Sequence, residues 1–179
     1  MKYLRTEDIT DSQYIQLKRR VFQLEDGAEV AYEVKYERNS AVAVALTEDN
    51  EIILVSQWRP GPGFVLLELP GGHLDTGESI VKGAQRELLE ETGYEAGECI
   101  HSDSHIVSPY SVAGRGVAVF VGCKKVSEPQ NTDREHTEVS LIPFDLFVQN
   151  VLPSYYSHDG GCLWSALVSA GLIKVESAL

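Results

Sequence analysis

Residues 70–94 read PGGHLDTGESIVKGAQRELLEETGY, and the reading of this stretch decides the fold. From Ser79 to Thr92 the pattern is helical, because Ile80, Ala84 and Leu88 fall at i, i+4 and i+8 on one side. Gly93 is placed to end that helix. Gly83 lies inside it at a cost of about 1 kcal/mol relative to alanine, which predicts close approach to a neighbour. On the same helix Glu87 and Glu91 stand one turn apart, with Glu90 beside them. Like charges at that spacing destabilise a bare helix by about 0.2–0.5 kcal/mol per pair. Two readings stay open at this point. The carboxylates form a solvated face, with Arg86 pairing to Glu90 at i+4, or they hold a hard divalent cation, which prefers oxygen ligands.

Charge elsewhere sharpens the question. The 179 residues carry 15 basic and 27 acidic side chains, a net of −12. Half of that excess lies between Glu68 and Glu98, where Glu68, Asp75, Glu78, Glu87, Glu90, Glu91, Glu95 and Glu98 face only Lys82 and Arg86. Such a chain repels nucleic acid and anionic membrane, so neither is expected as a partner, and a phosphate-bearing ligand needs help from cations. Cys99, Cys123 and Cys162 form no C-x-x-C pair and suggest neither a disulfide framework nor a zinc site. The histidines at 73, 101, 105, 136 and 158 lack metal-ligand spacing. The opening MKYLRTEDITDSQ has no apolar run of signal-peptide length, and the run AVAVAL at 41–46 is too short to cross a bilayer. A cytoplasmic protein is the expectation.

Outward from the helix, residues 14–36 alternate loosely around "EDG" and read as two or three short strands with a hairpin turn. Ser40–Thr47 and Glu51–Trp58 are strands joined by "EDN", "RPGPG" at 59–63 breaks regular structure, and Phe64–Leu69 is a strand closed by Pro70. Further strands are expected at 100–108, 116–126 and 138–143, and a helix at 159–172 with Leu163, Leu167 and Ala170 on one stripe. Strands around a central helix, followed by more strands and a last helix, make an α/β or α+β sandwich.

Gly72, Glu78, Arg86-Glu87, the apolar Leu88, Glu90-Glu91, Gly93 and Tyr94 stand at the offsets G-x5-E-x7-R-E-U-x-E-E-x-G-U, U being a bulky apolar residue. This frame resembles the signature of the Nudix hydrolases, and seven fixed letters would coincide by chance on the order of once in a million chains of this length. The resemblance implies an α/β/α sandwich with a mixed sheet, a divalent metal (Mg²⁺, with Mn²⁺ an alternative), and hydrolysis of a nucleoside diphosphate linked to another group. It further implies Glu87, Glu90 and Glu91, with the Gly71 carbonyl, as metal ligands, Glu87 and Glu90 as catalytic carboxylates, and Glu78 with Arg86 as a structural pair between Gly72 and Gly93.

The flanks are similar to the ADP-ribose and nucleoside-diphosphate-sugar pyrophosphatases. VSQWRPGPGFVLLELPGG places Arg59 and Glu68 as substrate-binding residues, and Pro109, which matches a proline of that subfamily, is expected to join them, although Tyr110 follows where glycine is usual. "DREHTEV" at 133–139 places Glu135 as the general base, with Glu90 the alternative. Other Nudix substrates, such as a modified nucleoside triphosphate or coenzyme A, and a non-catalytic nucleotide sensor, remain open. Residues 1–38 are expected to form a small β region and 39–179 the Nudix hydrolase domain. A homodimer is expected because so small a sheet is marginal alone, and in the resembling enzymes this region packs across a two-fold axis.

Overall fold

The computed structural model describes residues 2–9, 16–130, 137–155 and 160–174. The chain divides into a small unit, residues 1–39 with 106–114, and a larger one made of 40–105 and 115–179.

In the small unit β1 (Lys2–Asp8), β2 (Gln16–Gln23) and β3 (Glu29–Tyr36) form an antiparallel sheet in chain order. The sequence reading placed no strand at residues 2–8, so β1 is a correction. Its polar alternation hides it, because one face of the sheet is a lattice of exposed ion pairs, Arg5 with Glu7 and Glu29, and Arg19 with Glu7 and Glu33. Such pairs contribute little each. The other face is aromatic: Tyr3 meets Phe22 edge-on at 5.5 Å, and Phe22 meets Tyr32 at 5.9 Å. Residues 106–114 run along β3, where Lys35 N–H donates to the Tyr110 carbonyl and Val112 N–H to the Lys35 carbonyl.

The larger unit is built on a mixed sheet. Its strands are β4 (Ser40–Thr47), β5 (Glu51–Arg59), β6 (Phe64–Glu68), β7 (Gly71–His73), β8 (Tyr94–Glu95), β9 (Glu98–Ile106), β10 (Gly114–Lys125) and β11 (Thr137–Pro143). The central order is β11-β5-β4-β10-β8, with β10 parallel to β4 and the other pairings antiparallel. The AVAVAL run explains the layering, since successive side chains of a strand point to opposite faces. Ala41, Ala43 and Ala45 face helix α1 (Ile80–Thr92), where they join Ala84, Leu88, Ala118 and Phe120. Small side chains there let the helix lie close to the sheet. Val42, Val44 and Leu46 face the opposite layer with Phe144, Phe147, Leu163 and Leu167. That layer consists of α2 (Phe144–Leu146), two short turns through Ser154, and α3 (Gly160–Ser169). Helices on both faces of a mixed sheet make the α/β/α sandwich.

Most boundaries fall within two residues of expectation. Strand β7 is a correction: after Pro70 the chain pairs at once with β4, Gly71 opposite Val42. The helical turns over 144–154 are another element the sequence reading did not place. None of Cys99, Cys123 and Cys162 is joined to another of the three by a disulfide. Among the described residues no helix is long and apolar enough to cross a membrane.

Candidate active site

Helix α1 begins at Ser79, whose hydroxyl accepts from Lys82 N–H, and ends at Gly93 with φ 72°, the left-handed conformation that glycine adopts without strain. The last carbonyls of a helix have no partner within it. Here each finds one: Leu89 accepts from Gly93 N–H, Glu90 from Gln130 N–H, Glu91 from the Thr137 hydroxyl, and Thr92 from Lys125 Nζ. The backbone under Glu90 and Glu91 is therefore fixed by neighbouring segments as well as by its own helix.

Arg86 organises the carboxylates. Its Nε and Nη2 each donate to one oxygen of Glu78 at 3.0 Å, and Nη2 also reaches the His73 carbonyl. Nη1 donates to Glu87 Oε1 at 2.8 Å and to Glu90 Oε2 at 3.1 Å. Glu78 takes a further hydrogen bond from Asp75 N–H. Arg86 first, and that amide second, hold the Glu78 carboxyl down at about 2, while the carboxylates push the Arg86 guanidinium upward. The i+4 pairing of Arg86 with Glu90 and the structural pairing with Glu78 thus coexist on one guanidinium.

Glycines make room for this cluster. A methyl group on Gly72 would overlap the Glu87 carboxylate, and one on Gly83 would overlap Leu74, the close approach the sequence predicted. At Gly71 a side chain is excluded because it would meet the Ala41 carbonyl of β4 at 2.5 Å. Gly71 N–H donates to Glu91 Oε2 at 2.8 Å, which ties the loop to the third carboxylate of the box.

Among the described residues no three acidic, histidine or cysteine side chains converge as a ready-made ion site. The bonding explains this: Glu87 and Glu90 converge on Arg86, and Glu91 is turned to Gly71. The set nonetheless suits a divalent metal. Its donors are all hard oxygens, and Glu87 and Glu90 lie close enough together to share one positive group.

The remaining candidates are distributed differently. Arg59 Nε donates to Glu68 Oε2 at 2.7 Å, and Glu68 is 1% exposed, so Glu68 acts on its surroundings through Arg59 in this arrangement. Pro109 belongs to the small unit, where it lines a cleft with Phe22 and Tyr32. Glu135 and His136 lie outside the described residues. The sequence reading missed Gln130, Thr137 and Lys125, since nothing in their types signals that they cap a helix; it also passed over Arg20, in the run KRR at 18–20, which lines the same cleft as Pro109.

A loop, a carboxylate-bearing helix and a mixed sheet in this arrangement define a Nudix-type site. The NUDIX domain pattern matches residues 37–159, and the chain belongs to that family. It is 32% identical over 108 residues to the methanol dehydrogenase activator of Bacillus methanolicus, and 31% identical over 108 residues to the ADP-ribose pyrophosphatase of Bacillus subtilis. Each match covers 60% of this chain and 58% of the relative, so the chain spans little more than half the length of these relatives. The mouse ADP-sugar pyrophosphatase is 52% identical over 50 residues, 27% of this chain and 23% of its own. A crystal structure of an ADP compounds hydrolase superposes with a TM-score of 0.72 at 20% identity, covering 97% of this chain and 98% of that one, a likeness of fold.

Proposed function

We propose that the protein is a Mg²⁺-dependent pyrophosphatase of ADP-ribose or a related nucleoside diphosphate sugar, yielding a nucleoside monophosphate and a sugar phosphate. The observation that carries this reading is the convergence of Glu87 and Glu90 on one positive group, beside Glu91 held by the Gly71 amide. The relatives named for ADP-ribose and ADP-sugar hydrolysis support the substrate class.

Glu87, Glu90, Glu91 and the Gly71 carbonyl would hold the metal, Mg²⁺ or Mn²⁺. When bound, it neutralises the diphosphate and lowers the pKa of a coordinated water. Arg59, oriented by Glu68, grips a phosphate. Glu135, or Glu90 in its place, accepts the water's proton as the water oxygen bonds to phosphorus. The bridging P–O bond then breaks, its electron pair leaving with the departing phosphate. Arg86 and Glu78 keep the loop against the helix throughout. The protein acts in the cytoplasm as a homodimer, the region before residue 39 packing on its copy.

Turnover of a nucleotide-sugar panel in ¹⁸O water, with products identified by mass spectrometry, tests this reading. A monophosphate carrying one ¹⁸O supports it. Turnover confined to nucleoside triphosphates or coenzyme A refutes it.

A further inference from the structure

Strand β5 turns alternate side chains toward helix α1 and toward the opposite layer, as successive residues of a strand must. Ile53 clusters with Ala84 and Leu88 of α1, whereas Ile52 and Leu54 cluster with Phe147 and Leu163. By the same alternation Val55, Gln57 and Arg59 belong to the α1 row. The neighbouring strands agree, since residues directly opposite one another share a face. Thr137 of β11 stands opposite Gln57 and donates its hydroxyl to the Glu91 carbonyl at 3.0 Å. Glu68 of β6 stands opposite Val55 and accepts from Arg59. Gln57 thus sits between Arg59, two residues along its own strand, and the end of α1 that carries Glu91.

Gln57 is only 8% exposed, yet its amide makes no hydrogen bond among the described residues. The little surface that it keeps includes the amide oxygen and nitrogen. A buried polar side chain without a partner calls for a reason, since an apolar one of the same size packs there without loss. The amide is neutral, and its nitrogen offers two donors. A diphosphate held by a metal on the box carboxylates and by Arg59 spans this row at Gln57. An anionic oxygen there gains from a neutral donor, whereas a carboxylate at this position would repel it and a hydrocarbon would leave it one donor short.

We propose that the Gln57 amide donates a hydrogen bond to a phosphoryl oxygen of the substrate's diphosphate, which makes it a substrate-binding residue beside Arg59. The inference rests on the pyrophosphatase reading and adds one contact to it.

The test is calorimetric titration of the full chain with the α,β-methylene analogue of ADP-ribose, whose carbon bridge resists hydrolysis, in buffer containing Mg²⁺. Gln57→Met keeps the length of the side chain and removes the donors. It is expected to weaken the analogue by about 10- to 100-fold, the range of a hydrogen bond to a charged group. The denaturation midpoint and the affinity for Mn²⁺ alone should stay unchanged, because the amide holds nothing in the fold. Gln57→Glu, the same shape with a negative charge, should weaken the analogue further. A folded Gln57→Met chain that binds the analogue as tightly as the wild type overturns the contact alone. A lower midpoint, or an equal loss of Mn²⁺ affinity, marks a structural role and overturns it too. Wild type that fails to bind the analogue overturns the pyrophosphatase reading and the contact with it, so the two failures are told apart.

Discussion

Arg86 grips both oxygens of Glu78, eight residues earlier in the chain, with two 3.0 Å hydrogen bonds from Nε and Nη2. The same guanidinium offsets the repulsion between Glu87 and Glu90. Lysine has the charge but lacks the planar fork. Arg86→Lys is therefore expected to lower stability by about 2 kcal/mol, the scale of lost hydrogen bonds to charged groups. Denaturant titration of the metal-free protein checks this, and an unchanged midpoint would show that the fork is dispensable.

Acid provides a second handle on that pair. Glu78 has its folded pKa depressed from 4.5 to about 2, chiefly by Arg86 and then by Asp75 N–H. A depressed carboxylate contributes stability that is complete above its unfolded pKa and is lost as pH falls through the folded one. The difference in melting temperature between wild type and Glu78→Gln is thus expected to be constant above pH 5 and to shrink between about pH 4.5 and 2. A difference that persists unchanged at pH 2 would contradict the assignment.

Gly72→Ala is expected to leave the fold intact and to impair the site, because the added methyl displaces the Glu87 carboxylate rather than backbone. Disturbing a ligand's support costs about 10- to 100-fold in metal affinity. Isothermal titration with Mn²⁺ against an unchanged circular dichroism spectrum is the check.

Leu88 is fully buried between α1 and the alanine face of β4. Leu88→Ala is expected to cost about 2–5 kcal/mol, since the rigid sheet beneath cannot collapse into the cavity. Chemical denaturation measures it directly.

The box helix was legible because Ile80, Ala84 and Leu88 keep one helical stripe and Gly93 closes it. AVAVAL was equally legible as a strand, although only the structure shows why alanine and valine alternate: one face must admit a helix closely. β1 was not, since its side chains alternate between ion pairs and an aromatic face that forms only when β2 is alongside. The sequence offset between Arg59 and Glu68 gave no hint that they pair across the β5–β6 hairpin. Nor could the spacing alone decide between Glu78 and Glu90 as the partner of Arg86, because one guanidinium serves both.

The central claim, that the box carboxylates hydrolyse a nucleoside diphosphate sugar with a divalent metal, is tested most directly by comparing wild type with Glu91→Gln on such a substrate across Mg²⁺ concentrations. The wild type is predicted to release nucleoside monophosphate and sugar phosphate only with Mg²⁺. The variant should be slower by more than about 100-fold, since even changes behind a ligand cost 10- to 100-fold. Equal rates for the two proteins, or turnover indifferent to Mg²⁺, would contradict it.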